Sequence, residues 1–302
     1  MNSKNNNQKI IDAIKEIQPD LKLLRLVGRG SVGSVYECET PTGKNIAIKL
    51  MEISPMMDPL VFEGIIKAAI ATRSLAEHVN VVKVINAGKT DHYYYITTDM
   101  INGGTLEQII EDDSVSFKEK LSIAIQTAEI LQAIHAKGIV HKDMKPSNLL
   151  LDENNVPYLT DFYLFPPEIA KNFSSMPHGT PYYMSPEQTS GYLVSALTDV
   201  YSYGVLLYEL LTGTMPYKET PKNNSDMITV VNEGEIKRPS KQNKNIDSKL
   251  EAVILKLLEK DPKQRYQNMQ IVVKDLKACL NNEEISIPYQ TSLKDKILGF
   301  FK

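Results

Sequence analysis

His141-Lys142-Asp143-Met144-Lys145-Pro146-Ser147-Asn148 is the stretch on which the reading of this chain turns. It falls between a long apolar helical segment and the apolar run Leu149 to Leu151, so it reads as a loop. Within six residues it supplies three kinds of group. Asp143 offers a carboxylate for the proton of an attacking hydroxyl, Lys145 a cation for a phosphoryl group in transfer, and Asn148 an oxygen ligand for a magnesium ion. Thirteen residues beyond Asn148, Asp161-Phe162-Tyr163 adds a second acidic metal ligand followed by an aromatic. Either piece alone reads equally as a polar turn between strands. Both together at this spacing point to phosphoryl transfer.

Upstream, Gly28-Arg29-Gly30-Ser31-Val32-Gly33-Ser34-Val35 lies between two expected strands. Backbone N–H groups can approach anionic oxygens closely only where side chains do not obstruct them, which glycines allow. Alone the motif is as well explained by a glycine-containing hairpin. A dinucleotide-binding reading needs a helix next, and the next segment is a strand. Ile46-Ala47-Ile48-Lys49 follows 13 to 16 residues after Gly33. An isolated lysine ending an apolar strand is ordinarily solvated. After a glycine-rich loop it is better placed to hold phosphates.

The order of elements is strand-rich, then helical. Leu23 to Val27, Val32 to Glu39, Asn45 to Met51, Val81 to Ile85 and Tyr93 to Asp99 read as strands, with Pro41-Thr42-Gly43 as a hairpin turn and a helix over Pro59 to Leu75. Beyond Gly103-Gly104, Ser116-x-x-Glu119 caps a helix to Ala136, and Ser185-Pro186-Glu187 opens another. Leu197 to Leu211 and Lys249 to Glu259 read as buried helices. Residues 1–8 are Asn-rich and expected to be disordered. Ile10, Ile11, Ile14 and Ile17 recur at helical spacing.

This set resembles the eukaryotic-type, or Hanks-type, serine/threonine protein kinase family, closest in style to its compact bacterial members. The resemblance covers about residues 21–281. It implies an α+β bilobal kinase fold: a tail over 1–20 with a short helix, an N-lobe over 21–101, a C-lobe over 102–281 and a C-terminal tail over 282–302. It implies ATP and Mg2+ as cofactors and Ser/Thr hydroxyls of proteins as substrates. Residue by residue, Gly28, Gly30 and Gly33 would cover the phosphates, and Val35, Ala47 and Leu150 would enclose the adenine. Lys49 would bind the α- and β-phosphates. Asp143 would be the base, Lys145 would contact the γ-phosphate, and Asn148 and Asp161 would hold the metal. Thr98 would be a small gatekeeper, with Asp99 to Ile101 as the hinge bonding adenine. Glu187 would pair with Arg265, and Asp199 would brace the catalytic loop. Gly179 to Gln188 resembles the peptide-binding end of an activation segment, where Ser174, Ser175 and Thr180 would be candidates for phosphorylation between associated copies.

Three positions depart from the family. Counting back from His78-Val79-Asn80, the helical glutamate that should pair with Lys49 falls at Ala69, and the acid within that helix is Glu63. Lys142 stands where arginine is usual; it cannot fork onto a phosphate, so control by activation-loop phosphorylation should be weak. Tyr163 stands where glycine is usual, and its Cβ disfavours left-handed backbone. These departures keep a second reading open, a pseudokinase acting as a nucleotide-binding scaffold. A small-molecule kinase is the weaker third, because the Gly179 to Gln188 stretch looks built for a peptide.

Composition bounds the rest. With 302 residues, 42% apolar and 24% charged, the chain can bury a sizeable core. A net charge of −3 argues against nucleic-acid binding. Cys38 and Cys279 form neither a disulfide framework nor a zinc spacing, which fits a reduced, cytoplasmic compartment. In the tail from Thr291 to Lys302, Leu293, Ile297, Phe300 and Phe301 gather on one helical face. Docking of that face on the kinase lobe is favoured over contact with an anionic membrane, because so few anchors bind a bilayer marginally.

Overall fold

Alternating apolar residues in the first hundred positions make a five-stranded antiparallel sheet, seen in a computed structural model that describes residues 2–30, 33–54, 59–75, 80–162, 181–191, 194–219 and 221–289. The expectations placed on Ser31, Val32, Tyr163, Ser174, Ser175, Gly179, Thr180 and the tail from Thr291 lie outside the described residues. The strands are β1 (Lys22–Arg29), β2 (Ser34–Glu39), β3 (Asn45–Glu52), β4 (Val84–Lys89) and β5 (Tyr93–Asp99), in the order β1-β2-β3-β5-β4. Period two sorts β3 cleanly. Ile46, Ile48 and Leu50 face one side with Cys38 and Tyr93, and there they meet Ile10, Ala13 and Ile14 of helix α1 (Asn2–Ile17). Met51 faces the other side, with Tyr94 and Ile96. These pack on Phe62, Ile65 and Ala69 of helix α2 (Pro59–Ala71), with the Phe62 and Tyr94 rings stacked at 4.6 Å. Lys49 and Ala47 share the parity of Met51, so the strand directs them to the α2 side.

Several expectations are corrected. Residues 1–8 do not stay disordered: from Asn2 onward they are helical, continuous with the turns that bury Ile10 and Ile14. Once those turns are anchored, propagation adds a hydrogen bond per residue at little further cost, even through asparagines. The strand expected over Val81 to Ile85 begins at Val84. The helix expected to Leu75 ends at Ala71 and tightens into a 3₁₀ turn, Thr72–Ser74. The first strand runs two residues further than expected, to Arg29.

The described residues to Asn102, with Phe162, form one compact unit, and those from Gly103 to Asp161 and from Pro181 onward form a second. The second unit is helical. It contains α3 (Leu106–Glu111), α4 (Phe117–Ala136), a two-stranded ribbon of β6 (Leu149–Leu151) and β7 (Pro157–Leu159), then α5 (Pro186–Thr189), α6 (Ala196–Thr212), α7 (Asn224–Glu233), α8 (Pro239–Gln242), α9 (Ser248–Leu257) and α10 (Met269–Asn281). Ser116 caps α4 through Glu119 and Ser185 caps α5 through Gln188, both as reciprocal capping boxes. Helix α6 is apolar nearly all round and is correspondingly buried from Thr198 to Tyr208. It approaches α9 so closely that a Cβ on Gly204 would lie 2.7 Å from that of Leu257. Arg265, 2% exposed, places all five N–H groups: two on the Glu187 carboxylate at 2.8 Å each and one each on the carbonyls of Glu259, Lys260 and Leu197. Burial alone would raise the Glu187 carboxyl. The bonds from Arg265 and Thr198 outweigh it and hold the group below the usual carboxylate range.

Two outcomes follow from this packing. Ile14→Ala should cost about 2–4 kcal/mol in chemical denaturation, the cost of a cavity in a filled core; a loss below about 0.5 kcal/mol would show that α1 is not part of that core. Arg265→Ala should cost about 3–5 kcal/mol, because Glu187 would be left as a buried charge without its partner. A double Glu187→Gln/Arg265→Met variant should recover part of that loss, and failure to recover any of it would place the cost in the carbonyl bonds instead.

Candidate active site

The loop after α4 is held from behind by one side chain. Asp199, fully buried on α6, accepts the backbone N–H of His141 at 2.8 Å on Oδ2 and that of Lys142 at 2.8 Å on Oδ1. His135 Nε2 donates to the same carboxylate at 2.8 Å, which makes Nε2 the protonated nitrogen of that ring. Lys142 adopts φ +72, a left-handed conformation that a side chain disfavours. The clamp of Asp199 on two successive N–H groups over-determines it. Gln188, the capping residue of α5, also donates to the Lys142 carbonyl at 2.8 Å. Burial pulls the pKa of the Lys142 ammonium down, partly offset by Asp199.

With the loop so fixed, three predicted residues converge. Asp143 Oδ2 accepts from Lys145 Nζ at 2.7 Å and from Asn148 Nδ2 at 2.9 Å, and Asn148 Nδ2 also donates to the Asp143 carbonyl at 2.8 Å. Both Asn148 amide bonds go through its nitrogen, so its Oδ1 is left to act as an acceptor. Asp143 Oδ1 has no hydrogen-bond partner among the described residues. Asp161 is drawn to the same place through its neighbour: Thr160 donates its N–H to the Asn148 carbonyl at 3.0 Å, and its own carbonyl accepts from His141 Nε2 at 2.9 Å. Asp161 has φ +59, a second left-handed non-glycine residue in this region. Leu150 is half-buried on β6, bridged to Thr105.

The other predicted residues lie in the sheet unit. Gly28 pairs with Val35, and Val35 pairs with Lys49, so the three stand in one row across β1, β2 and β3. Ala47 stands opposite Thr98. The three glycines differ. A Cβ on Gly28 would meet nothing within 4 Å, and one on Gly30 only the Gly33 carbonyl oxygen at 3.6 Å, whereas one on Gly33 would lie 2.3 Å from the Leu50 carbonyl oxygen. Gly33 is thus required by its own strand neighbour, while Gly28 and Gly30 leave open space. Asp99 gives its N–H to the Lys83 carbonyl and its carboxylate to Lys44 at 2.5 Å. Ile101 makes no backbone hydrogen bond among the described residues. Ala69 is buried and apolar, while Glu63 is exposed and enters no ion pair among the described residues.

Sequence reasoning missed His135, Thr160 and Gln188. Gln188 carried a signal, as the third helical position of the Ser185 capping box. Thr160 acts through backbone atoms and His135 through Asp199, 64 residues further on, and no local pattern marks either.

No group of three or more His, Cys, Asp or Glu able to hold a metal occurs among the described residues.

Comparison with known proteins identifies the family. The protein kinase domain family matches residues 21–276. A probable serine/threonine-protein kinase of Clostridium perfringens is 33% identical over 279 residues, covering 88% of this chain and 39% of that protein. Serine/threonine-protein kinase PrkC of Bacillus subtilis is 29% identical over 281 residues, covering 90% and 42%. Serine/threonine-protein kinase PknE of Mycobacterium tuberculosis is 32% identical over 253 residues, covering 81% and 43%. The chain thus spans about two fifths of the length of these relatives. It belongs to the protein kinase domain family, and its resemblance is to the bacterial Hanks-type serine/threonine kinases.

Proposed function

We propose that the chain transfers the γ-phosphoryl group of Mg-ATP to serine or threonine hydroxyls of proteins. The observation that carries this reading is the state of Asp143. One carboxylate oxygen is pinned by Lys145 and Asn148 while the other is left to accept. A base so oriented can take the proton of a substrate hydroxyl placed beside it, in a step where positioning and electrostatics dominate. Lys145, 2.7 Å from that carboxylate, steadies it and offers a charge to the incoming phosphoryl oxygens. Asn148 Oδ1 and the Asp161 carboxylate would hold magnesium, which would supply positive charge against the phosphates. Lys49 would hold the α- and β-phosphates, Gly28 and Gly30 would let the loop backbone approach them, and Val35, Ala47 and Leu150 would enclose the adenine. The hinge bonds to adenine fall best to Ile101, whose backbone groups are uncommitted. The Asp99 N–H is already engaged.

The alternative, a nucleotide-binding scaffold with little catalysis, draws on α2, where Ala69 is buried and apolar and Glu63 is exposed. The intact Asp143, Lys145 and Asn148 constellation favours catalysis. Protein substrates are favoured over small molecules by the Ser185 to Gln188 turn, which is tied both to the catalytic loop through Lys142 and to Arg265 through Glu187. Phosphorylation between two copies, at Ser174, Ser175 or Thr180, is part of the same proposal. No helix among the described residues is long and apolar enough to cross a membrane.

Asp143→Asn should lower transfer of labelled γ-phosphate to a generic protein substrate by about a thousandfold or more while leaving nucleotide affinity within a few-fold. Equal turnover in both proteins would move the reading to the scaffold alternative. Asn148→Ala should raise the magnesium concentration needed for half-maximal rate by about tenfold; an unchanged magnesium dependence would remove Asn148 from the metal site.

A further inference from the structure

A cleft of about 730 Å³ opens in the sheet unit on the face that carries α1. The parity of β3 and β5 puts Ile46, Thr97 and Asp99 on this face and Lys49 on the other, so the cleft is separate from the nucleotide site proposed above. Its cations are Lys44, Arg73 and Lys83, against the single carboxylate of Asp99. That leaves an excess of two positive charges. Lys44 is paired with Asp99 at 2.5 Å. Arg73 spends only Nε, on the Val84 carbonyl at 3.1 Å, so its two terminal nitrogens are uncommitted among the described residues. The Lys83 ammonium has no partner there either.

The wall also contains a buried polar atom without a partner. Thr97 is 3% exposed, and its Oγ1 makes no hydrogen bond among the described residues. A native protein rarely leaves a buried hydroxyl unmet unless a water, an ion or a ligand supplies the partner. Ile17, Leu21, Ile46 and Ile85 give the cleft an apolar side. The volume is that of a small-molecule site and exceeds what one inorganic phosphate would fill.

We propose that this cleft binds a small organic phosphate monoester, its phosphoryl oxygens held by Arg73 and Lys83, a polar oxygen of the ester meeting Thr97 Oγ1, and its carbon part resting on the isoleucine and leucine wall. A guanidinium fork with an adjacent ammonium matches a phosphoryl dianion in charge and in the number of acceptor oxygens. Occupancy bears on the hinge, because Asp99 forms both the cleft's acidic wall and the end of β5.

The test is direct binding, which does not depend on kinase activity. Phosphorus NMR line broadening would be titrated with glycerol 3-phosphate and glucose 6-phosphate on the full chain. Vesicles containing phosphatidic acid would be run in parallel, to show whether a lipid headgroup is the source of the phosphoryl group. Binding to a soluble ester or to the vesicles should fall at least tenfold in the Arg73→Ala/Lys83→Ala variant and stay within twofold in Lys49→Ala. Absence of binding to all three probes overturns the proposal. So does binding that Lys49→Ala removes and the double variant keeps, since the phosphate then sits elsewhere. Thr97→Val should leave the ligand-free Tm unchanged or higher, because it removes an unmet hydroxyl without changing shape, and should weaken binding about threefold or more. A fall of several degrees in the ligand-free Tm with unchanged affinity would remove Thr97 from the site.

Discussion

The carboxylate of Asp199 is the constraint on which the catalytic loop depends. It is fully buried, yet it is met by two backbone N–H groups and a histidine ring, which is how a charge is kept in an apolar helix core. Its anchor is α6, buried at every position from Thr198 to Tyr208 and itself pressed onto α9 where Gly204 leaves no room for a Cβ. Core packing and loop geometry are therefore one problem. The helix cannot move without dragging His141 and Lys142, and the left-handed turn at Lys142 then orients Asp143, Lys145 and Asn148. The strain of that turn is offset by bonds two steps removed from any substrate.

The readable part of this chain was the part in which local chemistry and local structure coincide. Asp143, Lys145 and Asn148 fall within six residues and meet within 3 Å. The strand from Tyr93 to Asp99 and the helix ending at Ala136 were legible because alternation and a capping box mark them without reference to the rest of the fold. What escaped was set by partners far along the chain. The helical content of residues 2–8 depends on the burial of Ile10 and Ile14 against strands more than twenty residues away, and the Asn-rich composition argues locally for the opposite. His135 and Thr160 contribute through contacts to Asp199 and His141, and their neighbours in sequence carry no trace of it. Strand β4 starts three residues late because Val81 makes only an isolated bridge and Val82 is buried without pairing, a distinction hydrophobicity alone does not make.

The sheet divides the first unit into two chemistries. One face of β3 shows Ile46, Ile48 and Leu50 to α1. The other shows Ala47, Lys49 and Met51 towards the side of α2. A one-residue slip in register would exchange the faces and place the lysine in the hydrocarbon contact with α1. The burial of Ile10, Ala13 and Ile14 opposes that slip, so α1 specifies the position of Lys49 although it lies on the other side of the sheet. Helix α1 also closes one wall of the cationic cleft, through Ile17 and the Leu21 that follows it. A helix that composition marked as a tail thus takes part in both faces.

The remaining departure from the family lies in α2. Its inward positions are apolar: Phe62, Ile65 and Ala69 fill the contact with Met51, Tyr94 and Ile96, and Phe62 stacks flat on Tyr94. A glutamate in place of Ala69 would enter that apolar contact and would have to be compensated by a nearby charge to be tolerated. The helix has instead put its acid at Glu63, on the exposed side. Lys49 therefore takes its backbone placement from the row it forms with Val35 on one side and Ile96 on the other. The ladder thus fixes where the Lys49 backbone stands, and α2 lies against the same face of the sheet through Phe62, Ile65 and Ala69.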